Sequence, residues 1–285
     1  MTKKEHNTVD TNQAWHQLYA RLEQDGLIPD KARAKQTRLF RQAATRWAAA
    51  IALLCICTAT FLFLRNQQAG TNPNLLTLKN EKGALTLVTT LEDGSIIYLG
   101  DDTQIQYPEH FNQDKREVAL EGNARFDVAG NRERPFLIET QDIQIEVIGT
   151  AFNVQSTDHL PFELSVQRGE VKVTYKKNNK SIHVKAGETV RLSSSQWLLE
   201  ETMDDLTFAD YTRRMRFKDE RLADILRVIN NESLGSMLQT TPSLEDRRLT
   251  VSFDNNSPET MAELICTAFK LKYKKENNVL LISEP

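Results

Sequence analysis

Residues 143–147 read IQIEV: Ile143, Ile145 and Val147 alternate with Gln144 and Glu146. A period of two places successive side chains on opposite faces of an extended chain, one face apolar and the other wet. Residues 171–175, VKVTY, repeat the pattern, with Val171, Val173 and Tyr175 set against Lys172 and Thr174. Around these strands turn signals recur, two pairs of them about eight residues apart. They fall at Asp93-Gly94, Gly122-Asn123, Gly130-Asn131, Asn178-Asn179 and Ala186-Gly187. The spacing predicts an all-β domain over residues 83–204, built of many short strands in a solenoid- or sandwich-like arrangement.

Downstream the period changes. Leu222, Ile225, Leu226 and Ile229 form one helical stripe, and Met261, Leu264, Ile265 and Ala268 form a second with the same spacing. Ser257 is placed to cap the second helix, with Pro258 at its first position. Short segments ending in Phe217 and Phe253 precede the helices. LKYKK, a turn at Asn277-Asn278 and VLLIS follow the second one. Two β-α-β-like units over 205–285 predict a small α+β domain.

Upstream lies WAAAIALLCICTATFLFL, residues 47–64, without one charge. At ~1.5 Å per residue such a helix covers ~27 Å, about the thickness of a bilayer's hydrocarbon core. A buried core helix of this length would show a polar stripe. A cleaved signal peptide starts close to the N-terminus, whereas 46 residues precede this run. Residues 47–64 are therefore expected to be a single transmembrane helix. Residues 31–46 carry Lys31, Arg33, Lys35, Arg38, Arg41 and Arg46 with no acid, while residues 65–78 carry only Arg65. The side richer in Lys and Arg stays inside, so residues 1–46 are expected in the cytoplasm and 65–285 outside, with 65–82 as a polar linker. Trp47 falls at the inner boundary, where an indole is at home.

Charge agrees with that division. Residues 1–46 hold nine Lys/Arg against five Asp/Glu, a surplus of four, so a chain at −3 overall leaves −7 on the remainder. Topology accounts for the basic cluster, and no direct nucleic-acid contact is expected from it. Cys55 and Cys57 lie in the apolar run and Cys266 alone beyond it, so the exported part is expected to fold without an intrachain disulfide.

From Asp10 or Thr11, either of which can serve as N-cap, a short helix presents Trp15, Leu18, Tyr19 and Leu22 at i, i+3, i+4 and i+7, ended by Gly26 and Pro29. A segment this short cannot stabilise itself in water, so the stripe needs a partner. Another cytoplasmic protein, a neighbouring copy or the membrane surface would each serve.

Several strings then carry a resemblance. LEDGSIIYLGDDTQIQYPEHF (91–111), REVALEGNARFDVAGNRERPFLIET (116–140) and IEVIGTAFNV (145–154) follow one another downstream of the apolar run. They resemble the FecR family of bacterial transmembrane anti-sigma factors: a DG turn, a YP segment, an EG-x-A-x-F-D-V strand pair and a GT-x-F-N-V strand. FKDERLADILRVIN (217–230) and VSFDNNSPETMAELI (251–265) are similar to the companion domain of members from Bacteroides-like organisms. That domain is related in shape to the short STN domains of secretins and TonB-dependent receptors. The resemblance spans about residues 10–285. Residues 231–247 depart from it by lacking a β-branched strand, and the head is shorter than in proteobacterial members.

The resemblance implies an inner-membrane anti-sigma factor. Its head would bind an extracytoplasmic-function sigma factor; the sigma-contact details of the proteobacterial members do not transfer, and the expected face is the apolar stripe Trp15, Leu18, Tyr19 and Leu22. Its periplasmic body would sense the signalling domain of an outer-membrane TonB-dependent receptor, and membrane proteases would release the signal. Some members of the family break their own chain at a Gly-Thr bond matching Gly149-Thr150, where the Thr hydroxyl could attack the preceding carbonyl. The same glycine could instead mark a bulge between strands.

No cofactor or metal site is expected. His6, His16, His110, His159 and His183 lack ligand spacing, and the calcium-loop pattern is absent around Asp101, Asp102 and Glu109. No phosphate loop or nucleophile elbow occurs either, and enzymatic turnover is not expected. The alternative function is a membrane-anchored periplasmic glycan-binding or envelope scaffold protein. It would need exposed aromatics on the strands, whereas Phe126, Phe136, Phe152 and Phe162 fall at expected core positions.

Overall fold

The structure, a computed structural model, describes residues 11–28, 56–60, 75–157, 161–193, 195–202, 206–233 and 235–285. Residues 1–71 and 72–285 form separate units. In the first, α1 (Thr11–Gln24) starts and ends where the stripe of four apolar residues requires. Residues 56–60 are helical, and the rest of the apolar run 47–64 lies outside the described residues. Among the described residues, no helix is long and apolar enough to cross a membrane.

The second unit begins with β1 (Leu75–Asn80), β2 (Thr86–Thr90), β3 (Ile96–Leu99), β4 (Thr103–Pro108) and β5 (Arg116–Asp127). It continues through β6 (Phe136–Glu139), β7 (Ile143–Val147), β8 (Ala151–Ser156), β9 (Glu163–Arg168) and β10 (Glu170–Tyr175). Then come β11 (Lys180–Lys185), β12 (Glu188–Ser193) and β13 (Gln196–Glu201). After α2 (Leu206–Arg213), the order is β14 (Arg214–Arg221), α3 (Leu222–Glu232), β15 (Met237–Thr240) and β16 (Arg248–Asp254). The chain ends with α4 (Pro258–Phe269), β17 (Lys272–Glu276) and β18 (Val279–Ser283).

Strand β5 organises this unit. Its first half pairs with β4 and, in parallel, with β6; its second half pairs with β3 and β8. The strand bends at Gly122, so Gly122-Asn123 is a kink within a long strand and not the turn its composition suggests. One wing runs β1-β4-β5-β6-β7-β10-β11, and the other runs β13-β12-β9-β8-β5-β3-β2-β14-β16. Ile105, Val118, Ile138, Ile145 and Val173 of the first meet Leu87, Ile97, Phe126, Phe152 and Leu164 of the second in one apolar core. The arrangement is sandwich-like, and the alternation at 143–147 and 171–175 is matched by alternating burial. Phe126, Phe136, Phe152 and Phe162 are all buried.

A second core lies on the other face of β2 and β3. Val88, Ile96 and Tyr98 pack there with Met215, Phe217, Ile225, Ile229 and Phe253. β3 is thus buried on both faces, which is why residues 96–99 read IIYL without alternation. The same core takes in Leu238, Leu280 and Ile282 of a three-stranded sheet ordered β15-β18-β17. β14 adds to β2 in parallel, so the α+β elements and the sandwich share a continuous sheet within residues 72–285.

Local chemistry explains the remaining elements. Ser257 accepts a hydrogen bond from the Thr260 N–H and Pro258 opens α4, as the sequence predicts. The buried face of α4 is Met261, Ala262, Ile265 and Cys266, rotated from the expected stripe, and Leu264 and Ala268 are exposed. Within the stretch read as a linker, β1 pairs with β4 at the edge of the sheet and buries only Asn80. Asn80 repays that burial by donating to the carbonyls of Leu85, Leu99 and Gly100. Residues 237–240 form β15 without β-branched residues except Thr240; pairing with β18 overrides weak local propensity.

Candidate functional site

Gly149 and Thr150 lie in the three-residue link from β7 to β8, where the chain crosses from one wing of the sheet to the other. The link is crowded. A Cβ on Gly149 would sit 2.6 Å from the Gly130 Cα, closer than any real contact allows. On the other side, a Cβ on Gly169 would sit 2.6 Å from the Thr150 Cγ2 and 3.1 Å from the Gly149 carbonyl oxygen. The Gly149–Thr150 peptide is clamped between two chain segments that only glycine lets this close. Just beyond it, the β8–β9 register shifts between Ala151 and Phe152, so a bulge accompanies the bond.

Thr150 is 2 % exposed, and its hydroxyl has no hydrogen-bond partner. Leaving such a group unpaired costs ~1–3 kcal/mol. Its backbone is held, since the Thr150 carbonyl accepts from Val128 N–H at 2.9 Å and the Ile148 carbonyl from Asn131 N–H at 2.8 Å. A cleft of ≈ 600 Å³ lined by Gly130, Asn131, Ile148, Gly149, Thr150 and His183, among others, opens beside the bond. Thr150 thus carries an unpaired hydroxyl on the residue directly after the Gly149 carbonyl, and it lines this cleft.

The residue that fixes this geometry is Arg116, which is not singled out in the sequence reading. It is 1 % exposed. Its Nη1 donates to Asp93 Oδ2 at 2.6 Å and to the Ala129 carbonyl at 2.8 Å; its Nε donates to the Arg134 carbonyl at 2.8 Å. Its Nη2 donates to the Ile148 carbonyl at 3.3 Å, and its guanidinium lies 5.3 Å from the Phe136 ring centroid. Asp93 belongs to the DG turn between β2 and β3, and it also takes hydrogen bonds from the N–H and hydroxyl of Ser95. The available signal was periodicity: Arg116, Val118 and Leu120 share one buried face of β5, so an arginine occupies an apolar register.

A second buried cation sits on the opposite face of β5. Arg125 Nη2 donates to Glu232 Oε1 at 2.9 Å, and the Tyr98 hydroxyl donates to the same oxygen at 3.0 Å. Burial first, and then the Glu232 charge, push the Tyr98 phenol well above its usual range. This cluster joins the C-terminal end of α3 to the sandwich.

In the other unit, Trp15 is 60 %, Leu18 47 % and Tyr19 60 % exposed, and Leu22 is partly buried. No residue of α1 is buried. The four side chains share one helical face, as their spacing predicts. Among the described residues, no group of three or more His, Cys, Asp or Glu side chains is placed to hold a metal ion.

Residues 81–172 match the protein family described as FecR protein. Two crystal structures of a candidate anti-sigma factor from Parabacteroides distasonis ATCC 8503, at 1.65 and 2.50 Å resolution, are similar to the chain. Each is 21 % identical and covers 74 % of this chain and 99 % of the other, with TM-scores of 0.45 and 0.46. No curated protein matches the chain.

Proposed function

We propose that the protein is a single-pass inner-membrane anti-sigma factor, with the head 1–46 in the cytoplasm, residues 47–64 in the bilayer and the body in the periplasm. The match to the FecR family supports the regulatory class, and the charge bias of residues 31–46 supports the orientation. The observation that carries the reading is the bare apolar face of α1. Trp15, Leu18 and Tyr19 stand in water on a helix that buries nothing. Water-exposed aromatics on one helical face are the raw material of a hot spot. The occupant is an extracytoplasmic-function sigma factor, gripped by Trp15, Leu18, Tyr19 and Leu22.

On the periplasmic side, the body receives the signalling domain of an outer-membrane TonB-dependent receptor, and membrane proteases complete the release. Chain scission at Gly149–Thr150, initiated by the Thr150 hydroxyl, prepares the body for that step. The unpaired hydroxyl and the clamped glycine support this assignment.

Calorimetry of residues 1–46 against the extracytoplasmic-function sigma factors of the host tests the head. Trp15→Ala should weaken binding by ~2 kcal/mol or more. Equal affinity of the two peptides removes the assignment.

A further inference from the structure

The polar contacts around Arg116 continue beyond the sandwich. Ala129 and Ile148, whose carbonyls Arg116 holds, are the residues immediately before Gly130 and Gly149. Those are the two glycines in closest approach. One buried guanidinium therefore sets the spacing of the segments that press on the Gly149–Thr150 bond. Asp93 holds the guanidinium, and the next residue, Gly94, accepts a 3.1 Å hydrogen bond at its carbonyl from Arg227 Nη1 on α3. Arg227 is itself anchored to Asp224 at 2.9 Å. The chain of contacts thus runs from α3 through the DG turn to the bond.

We propose that Arg116 is a positioning residue for scission at Gly149–Thr150, and that α3 governs the reaction through the Arg227–Gly94 hydrogen bond. The inference rests on the scission reading above. In the step concerned, Thr150 Oγ bonds to the Gly149 carbonyl carbon and the Gly149–Thr150 C–N bond breaks. The hydroxyl proton passes to the departing nitrogen, which becomes a free amine. Water then adds to the ester, giving the Gly149 carboxylate and restoring the Thr150 hydroxyl. No redox partner is needed. Attack requires the hydroxyl and carbonyl to be held close and aligned. Arg116 does not touch either reacting group; it acts by holding their backbone supports. Displacing α3 withdraws Arg227 from Gly94, frees the turn, and slackens the hold.

The test follows the intact mass of the full-length chain in detergent over days, alone and with hydroxylamine, which cuts any accumulated ester. Scission in the wild type should be abolished by Thr150→Ala. Arg116→Lys should slow it about tenfold or more, and Arg227→Ala several-fold, with Arg227→Lys recovering part of the rate. Hydroxylamine should not restore either variant, because the ester is what fails to form. Glu259→Gln, which loosens the C-terminal elements without touching Arg227, should leave the rate unchanged and so separates positioning from general destabilisation. A wild type that stays uncut overturns the scission reading and this inference together. A wild type cut in a Thr150-dependent way, but indifferent to Arg116→Lys and Arg227→Ala, overturns this inference alone.

Discussion

Arg116 occupies a register that β alternation reserves for an apolar side chain, and four hydrogen bonds and a ring contact compensate its charge. Breaking one partner of a buried pair costs ~3–5 kcal/mol, more than replacing both by matched apolar groups. Asp93→Ala should therefore lower stability by that amount in chemical unfolding, and Asp93→Ala with Arg116→Met should recover part of it. Equal losses in the single and double variants would refute the pairing. At the other end of the chain, the Glu259 carboxylate accepts from Lys275 Nζ and Ser236 Oγ, and its pKa is lowered to about 2, chiefly by the Lys275 hydrogen bond. A carboxylate with a depressed folded pKa stabilises above its unfolded value of 4.5, and that contribution is lost as pH falls from 4.5 to about 2. Amide exchange in α4 and β17 should accelerate across that window, and Glu259→Gln should flatten the response. An unchanged acid profile in the variant would assign the acid sensitivity elsewhere.

Single elements differ in how openly their sequences announce them. β7 and β10 are half-wet strands, so alternation shows them plainly; β3 is sealed on both faces and reads as a bare apolar run. β1 was hidden because an edge strand needs little apolar surface, and Leu75 and Leu76 remain exposed. The kink at Gly122 mimicked a turn because the same residue type serves both. Of the candidate site, the strings around Gly149-Thr150 draw the eye to that bond, but its clamp has no local signal. The clamp depends on Gly130 and Gly169 arriving from distant segments, and on an arginine whose partners are backbone carbonyls that carry no sequence signature. The cap of α4 was legible because it is local. Ser257→Ala should cost ~1 kcal/mol and raise exchange in the first turn of α4. Exchange no faster than in the wild type would show that Pro258 alone sets the start.

Over the whole molecule, the proposed topology sets a small basic head on the cytoplasmic side and a larger, mildly acidic body in the periplasm. Residues 72–285 bring the stretch that matches the FecR family and the C-terminal elements into one sheet, within the unit that holds the Gly149–Thr150 bond. In sealed inner-membrane vesicles of cytoplasmic-side-in orientation, added protease should degrade the body and spare residues 1–46. Protection or digestion of both ends together would contradict the orientation drawn from residues 31–46.

Recovery of the full chain from native membranes of its host reads out most directly whether the apolar face of α1 holds a sigma factor, as proposed above. Mass spectrometry of the co-purified proteins should find an extracytoplasmic-function sigma factor with the wild type and a marked loss of it with Trp15→Ala. A wild-type chain that retains no sigma factor, or a variant that retains as much as the wild type, contradicts the account.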